Sequence, residues 1–115
     1  MMEVAATLLG FAALGGLMML FIRFGQAKNP PTWLAMAHGF LAAAGITLLL
    51  YAAFVGTVSN LVKISIALLL AGAAGGAILN LRDHWNRILL TPSWVIGHMA
   101  IVVIGFAILA KEVWL

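Results

Sequence analysis

The sequence predicts an all-α integral membrane protein, a four-helix bundle built from two parallel-repeated transmembrane hairpins. Three observations predict this fold: the composition, four long apolar segments, and an internal repeat of 60 residues. Of the 115 residues, 65% are hydrophobic and 8% are charged, and the mean hydropathy is +1.18. A soluble domain of this size needs a polar surface around its core, and this composition does not supply one.

Charge and cysteine content exclude several classes of function. The six basic residues are too few and too scattered to form the clustered basic face that nucleic acid requires. Without cysteine there can be no disulfide, no Cys-ligated iron–sulfur cluster and no thiol nucleophile. The N-terminal stretch "MMEVAATLLGF" carries an acid where a signal peptide has basic residues, and residues 4–22 are apolar for long enough to remain in the bilayer.

Four segments reach the roughly 20 apolar residues that a helix needs to cross the hydrocarbon core. None of them alternates with a period of two, which argues against strands. The connections "GQAKNPP", "GTVSN" and "RDHWNRILLTP" carry turn residues and are short, so neighbouring helices should be antiparallel. Residues 1–115 therefore form one transmembrane domain, with predicted spans at roughly Val4–Phe24, Thr32–Val55, Leu61–Leu81 and Ser93–Lys111.

The loop charges predict an orientation. Basic residues in short loops mark the cytoplasmic side. Loops 1–2 and 3–4 contribute four of them, Arg23, Lys28, Arg82 and Arg87, against two at the other end, Lys63 and Lys111. We therefore expect these two loops in the cytoplasm and both termini outside. The membrane that we expect is a bacterial inner membrane.

The repeat units are residues 1–55 and 61–115. A shift of 60 aligns a glycine pair, a histidine and a further glycine in both halves: Gly15/Gly75, Gly16/Gly76, His38/His98 and Gly45/Gly105. The helix starts "PTW" (31–33) and "PSW" (92–94) align at 61. Each half holds two spans, so both enter the membrane in the same sense and are related by a pseudo-two-fold axis along the membrane normal.

Depth brings these repeated residues together. His38 lies seven residues after Pro31 and His98 six after Pro92, which puts both imidazoles about 9–11 Å into parallel helices. The glycine pairs approach the same level from the antiparallel helices. We therefore expect two histidines and two glycine pairs in one layer of the bundle.

A histidine inside a span is costly and indicates a functional site. Two facing imidazoles can ligate a haem iron on both faces. Gly15, Gly16, Gly75 and Gly76 would let the backbone recede from the macrocycle, and Arg23 and Arg82, with Lys28 and Arg87 nearby, suit the anionic propionates. The pattern predicts one haem b per chain with His38 and His98 as iron ligands. Thioether attachment is excluded because there is no C-x-x-C-H.

The segments "HGFLAAAGITLLL" (38–50) and "HMAIVVIGFAIL" (98–109) are similar to the histidine-bearing helices of membrane b-type cytochromes. The chain resembles the small bacterial members of that class, whose function is unassigned. The resemblance implies a bis-histidine haem in a four-helix transmembrane bundle, and a role in electron transfer. Larger members carry two haems, whereas this chain offers one histidine pair.

Other interpretations of the pair remain open. The histidines could form structural hydrogen bonds, or each could bind one chlorophyll-type pigment; a zinc or copper site lacks further ligands at the same depth. The protein could be an accessory subunit without haem that packs in a larger complex. A small four-span transporter is disfavoured, because the only acid of the first span, Glu3, lies at its edge.

The expected partners are the lipid bilayer, further copies of the chain or a larger membrane redox complex, and a quinone; nucleic acid is not expected. No acid, base or nucleophile constellation is visible, so we expect an electron carrier and not an enzyme. Of the remaining polar residues, His84 is expected to be solvated in its loop, Asp83 to pair with Arg82 or Arg87, and Asn80 to form a helix-to-helix hydrogen bond.

Overall fold

A computed structural model describes all 115 residues and confirms an all-helical bundle. Its four long helices are each long and apolar enough to cross a membrane, as expected of an integral membrane protein. The third helix continues directly into a wider π-helical segment, Leu79–His84. The helices are α1 (Met2–Gly25), α2 (Thr32–Val55), α3 (Asn60–Ile78) and α4 (Pro92–Trp114).

The helix starts follow local chemistry. At α3 the Ser59 hydroxyl accepts a hydrogen bond from the Val62 N–H, which satisfies one of the free donors of the first turn. α4 begins with Pro92, which lacks an N–H and has the backbone angle that a first turn requires. α2 instead uses its proline, Pro31, as the residue before the helix. The two helices therefore start 60 residues apart, although their Pro-x-Trp triplets are 61 apart.

The helices form two hairpins, α1–α2 and α3–α4, that pack side by side. Between the hairpins, α1 contacts α4 and α2 contacts α3. The histidine-bearing helices α2 and α4 therefore stand diagonally across the bundle, as do the glycine-bearing helices α1 and α3. The molecule extends 43 × 20 × 20 Å, which is long enough to cross the hydrocarbon core of a bilayer.

The main apolar core lies at the end of the bundle that carries the chain termini. It joins all four helices, and Leu49 and Leu109, which are equivalent in the repeat, are both fully buried within it. The other members of this cluster are Ala5, Ala6, Leu9, Ile46, Val62, Ile66 and Leu69. A smaller cluster of Leu79, Leu90 and Val95 lies toward the opposite end. The histidine layer is situated between the two.

The structure carries the same 60-residue period as the sequence. Residues 1–18 and 61–78 have the same degree of burial at 16 of 18 equivalent positions. Both hairpin turns also place a residue other than glycine in the left-handed region, Ala27 at φ 52° and Arg87 at φ 58°, and these positions are 60 apart. Equivalent residues therefore adopt equivalent backbone in both hairpins.

The outer surface of the bundle is apolar. Only 21 of the 115 residues are buried, and large hydrophobic side chains such as Phe54, at 90% exposure, point away from the core. Without a driving force between apolar faces in lipid, helix association depends on close packing at small residues. Gly45 of α2 provides such a contact against Leu9 of α1, and Gly105 of α4 does the same against Leu68 and Leu69 of α3.

Gly45→Ala is expected to destabilise the bundle by about 1–3 kcal/mol, because overpacking a tight contact forces side chains and backbone to shift. A Cβ at this position would lie 2.7 Å from Leu9 Cγ and 3.1 Å from the backbone oxygen of Ala5. Gly39→Ala, in the same helix, is the matched control, because a Cβ there meets nothing within 4 Å. Thermal unfolding of both variants in detergent checks this, and equal midpoints would contradict it.

Candidate cofactor site at the histidine pair

The two predicted histidines meet in the interior of the bundle, nearer to its loop end. His38 and His98 are each the seventh residue of their helix, so the parallel helices α2 and α4 hold them at one depth. Their ring centroids are 6.4 Å apart and the ring planes cross at 82°. Both side chains are partly buried. The structure thus brings together across the bundle two residues that are 60 positions apart in the sequence.

Each imidazole is fixed by a hydrogen bond within its own hairpin. Nδ1 of His38 lies 2.7 Å from the carbonyl oxygen of Ala12, and Nδ1 of His98 lies 2.7 Å from that of Gly72. A carbonyl oxygen can only accept, so Nδ1 carries the proton and donates in both cases. In the neutral ring this leaves the Nε2 lone pair free, which is the form that binds metals. A backbone carbonyl on the other ring nitrogen is a common second partner of a metal-bound histidine.

The glycine pairs lie against these rings. A Cβ at Gly16 would stand 3.1 Å from Cε1 of His38, and a Cβ at Gly76 would stand 2.9 Å from Cε1 of His98. The first glycine of each pair is less confined, with distances of 3.7 Å for Gly15 and 3.9 Å for Gly75 to the nearest histidine atom. The glycines therefore admit the imidazole rings into the bundle, and all six residues share one layer.

The spacing of the rings suits a shared metal ion. An imidazole nitrogen binds a first-row metal at about 2 Å, which places each ring centroid about 3 Å from the ion and two opposed centroids about 6 Å apart. The 6.4 Å between His38 and His98 agrees with that separation. No group of three or more His, Cys, Asp or Glu side chains converges anywhere in the chain. A pair of this kind fits a metal that brings its own equatorial ligands, as haem iron does.

A plane perpendicular to the line from His38 to His98 runs along the other diagonal of the bundle, between α1 and α3. At the histidine layer these helices contribute Gly16 and Gly76, and the imidazole rings take up the space left by the missing side chains. The pair of imidazole donors therefore fits haem iron.

Two of the predicted basic residues, Arg82 and Arg23, lie at the loop end of the histidine layer and differ in their exposure and in their bonding partners. Arg82 is half exposed; its guanidinium forms an ion pair with Asp83 at 3.0 Å and lies over the ring of Trp94 at 5.1 Å from the centroid. Arg23 is buried, at 8% exposure, and its Nε donates to the carbonyl of Leu90 at 2.8 Å. Arg82 is thus the more accessible cation, and Arg23 is committed to the partner hairpin through Nε.

Hydrogen bonds of Asn29 and His84 join the loop regions of the two hairpins, and we call this set of bonds the clasp. The side chain of Asn29, in loop 1–2, donates to the carbonyl of Ile88 at 2.7 Å and accepts from the N–H of Leu90 at 2.9 Å. The expectation that His84 is solvated is wrong: its Nε2 lies 2.8 Å from the carbonyl of Pro30 and therefore donates to it. The clasp holds the histidine-bearing helices at a common height.

The π-helical segment accounts for one further difference from expectation, at Asn80, and it also positions Asp83, whose expected pairing with Arg82 is confirmed. Its wider turns are closed by bonds over five residues, from the N–H of Trp85 to the carbonyl of Asn80 and from that of Ile88 to Asp83. This geometry turns the Asn80 side chain outward, where it is exposed and forms no hydrogen bond to another helix. Asp83 points inward, where Thr91 donates to it through both its N–H and its hydroxyl at 2.9 Å.

The two halves differ on their outer faces. Between α3 and α4 an open groove of about 390 Å³ reaches the His98 side chain past Ala71, Ala74 and Gly97. The positions 60 residues before the two alanines are Phe11 and Leu14, whose large side chains occupy the corresponding face of the first hairpin. The His98 side of the layer is therefore the more open one.

Comparison with known protein families, curated proteins and solved structures found no match for this chain. The fold and the site define its class directly: an integral membrane four-helix bundle with a paired histidine layer. The hydrogen bonds of His84, Asn29 and Arg23 across the hairpins were missed by sequence reasoning. Their acceptors include backbone carbonyls, which leave no mark in the sequence.

Asn29→Ala is expected to destabilise the bundle by about 1–3 kcal/mol, because it removes two hydrogen bonds between the loops and leaves the N–H of the buried Leu90 without its partner. Asn86→Ala is the control, because that amide bonds only Leu81 and Arg82 of its own hairpin, and a change within about 0.5 kcal/mol is expected there. Thermal unfolding and protease cleavage in loop 3–4 measure both. A control variant as unstable as Asn29→Ala would refute the clasp.

Proposed function

We propose that the protein is a membrane-embedded b-type haem protein that transfers electrons, with His38 and His98 as the axial ligands of one haem. One observation carries the proposal: two imidazoles from diagonal helices, each with Nδ1 bonded to a carbonyl and Nε2 free, lie 6.4 Å apart at one depth. A structural role alone requires neither the meeting of the two rings nor the use of the same hydrogen bond twice.

Haem held by these two histidines would supply one-electron transfer, with no open position at the iron for a substrate. The chain's part is to orient and shield it. The carbonyls of Ala12 and Gly72 hold the imidazoles in the Nδ1–H form, which leaves Nε2 free for a metal. The apolar core below the layer excludes water from that side. The half-exposed Arg82, and Arg23 through its remaining nitrogens, supply positive charge for the propionates.

The electrons would pass between a donor such as a quinone or an enzyme and a second redox protein. One haem near one end of the bundle suits a relay between partners on the same side better than transfer across the whole membrane. The extensive apolar surface is consistent with packing against further copies or within a larger redox complex. A role as an accessory subunit of such a complex is compatible with haem binding.

The proposal predicts a coloured protein. Purified from cells supplied with haem, it should show the oxidised and dithionite-reduced spectra of a low-spin b-type cytochrome. Pyridine haemochrome analysis should give one haem per chain. A colourless protein would refute the proposal, and a long-wavelength chlorin absorption would replace it with pigment binding.

The ligand assignment has its own control, because the chain has three histidines. His38→Ala and His98→Ala should each lose most of the haem or turn the spectrum high-spin, since each removes one of the two axial nitrogens. His84→Ala removes a hydrogen bond between the loops but no proposed iron ligand, so the haem that this variant binds should keep the low-spin spectrum. A high-spin spectrum in all three variants alike would count against the assignment.

We further propose that loops 1–2 and 3–4 face the cytoplasm of a bacterial inner membrane and that both termini lie outside. The excess of basic residues at the loop end supports this orientation. Because the chain has no cysteine, single cysteines report the sides cleanly. In intact cells an impermeant maleimide should label Thr57→Cys, and it should label Lys28→Cys only after lysis. The reverse pattern would invert the topology.

A further inference from the structure

The orientation of the two imidazoles is as well defined as their positions. Each ring is bonded at Nδ1 to a carbonyl, and its Cε1 lies in the space left by the missing side chain of a glycine on the neighbouring helix. We infer that Gly16 and Gly76 are positioning residues that, with these carbonyls, set the two imidazole planes nearly at right angles. A haem between them then has crossed axial ligands. This inference rests on the proposed function.

The hydrogen bond restricts the rotation of each ring. Turning an imidazole about its Cβ–Cγ bond carries Nδ1 away from the carbonyl oxygen, and at 2.7 Å the bond tolerates little displacement. In a bilayer the loss is costly, because no water is present to satisfy the freed donor. The plane of each ring is therefore tied to a backbone atom of the neighbouring helix.

The second glycine of each pair leaves room for the ring in this orientation. At Gly76 a Cβ would lie 2.9 Å from Cε1 of His98, closer than side chains tolerate, so any larger residue must turn or push the ring. At Gly16 the corresponding distance is 3.1 Å, so the same effect is weaker. The first glycines of the pairs leave ordinary contact distances and do not constrain the ring plane.

The crossing angle follows from the repeat. When a two-fold axis relates two planes, the angle between the planes is twice the angle between each plane's normal and the axis. The observed 82° between the imidazole planes therefore means that each ring normal is inclined to the axis by about 41°, or by the complementary angle of about 49°. Equal hydrogen bonds at equivalent positions produce equal tilts. The duplicated hairpin therefore generates crossed imidazole planes, because each ring is inclined to the two-fold axis. Parallel imidazole planes would require each ring either to contain the axis or to lie perpendicular to it.

Crossed ligands have a distinct electronic consequence. Each imidazole interacts with iron d orbitals according to the direction of its plane, so perpendicular planes leave two of these orbitals nearly equal in energy. The oxidised low-spin iron then gives a highly anisotropic electron paramagnetic resonance (EPR) signal with a large maximum g value, whereas parallel planes give a rhombic one.

Two measurements on the full-length protein test the inference. The first is nitrogen-15 NMR of the histidine side chains in the protein without haem. Both His38 and His98 should be in the Nδ1–H form, whereas free neutral histidine favours the Nε2–H form. The second is EPR of the oxidised haem protein, in which the wild type should give the highly anisotropic signal.

The variants separate positioning from stability. Gly76→Ala should lower the maximum g value while haem remains bound, and Gly16→Ala should lower it less. Gly97→Ala and Gly39→Ala are matched controls, because they flank the histidines in sequence and a Cβ at either meets nothing within 4 Å. Both controls should keep the wild-type signal. If a glycine variant fails to fold, the two wild-type measurements still decide the inference.

The outcomes distinguish this inference from the proposed function. If the protein binds no haem but both histidines are in the Nδ1–H form, the haem function is overturned, whereas the inferred orientation of the two imidazole rings is retained. A haem protein with a rhombic signal, or with either histidine in the Nε2–H form, overturns the inference and leaves the haem function intact. A Gly76→Ala signal identical to that of Gly97→Ala removes the positioning role of the glycine.

Discussion

The bond from each imidazole to a carbonyl of its own hairpin is the interaction on which the site depends. An ionisable ring within the hydrocarbon must find a polar partner, and helix carbonyls are already engaged in their own ladder. Ala12 and Gly72 accept a second bond, and the ring can approach them because the residue four positions later, Gly16 or Gly76, has no side chain. Histidine, carbonyl and glycine thus require one another, which explains why the repeat retains them as a set.

The rest of the bundle divides into a symmetric and an asymmetric part. Toward the chain termini, residues at equivalent positions of the two hairpins are buried to a similar degree. Leu49 and Leu109, for example, are both fully buried. Toward the loops the symmetry ends, because the clasp relies on Asn29 of one loop and His84 near the other. A symmetric core alone would leave two similar hairpins free to slide, since packing in lipid lacks a hydrophobic driving force. The clasp supplies the directional bonds that fix their register.

Much of this architecture could be predicted from sequence, because hydropathy and charge act locally. The four spans follow from apolar length, and the common depth of His38 and His98 follows from the helix starts. The π-helical segment could not be predicted, because it depends on how Asp83 meets Thr91 across the turn. Nor could the tilt of the imidazoles, which is set by a carbonyl of another helix. The haem itself stays a prediction of the residue pattern.

The asymmetry at the loop end supports the symmetry of the histidine layer. Arg23 and Asp83 stand at equivalent positions, 60 residues apart, and are buried at 8% and 2% exposure. Like charges there would repel across the two-fold axis. These opposite charges instead bind the two sides of one peptide group, because Arg23 donates to the carbonyl of Leu90 while Asp83 accepts from the N–H of Thr91. Thr91 immediately precedes α4, so the pair fixes the height at which α4 starts and, six residues further on, the depth of His98.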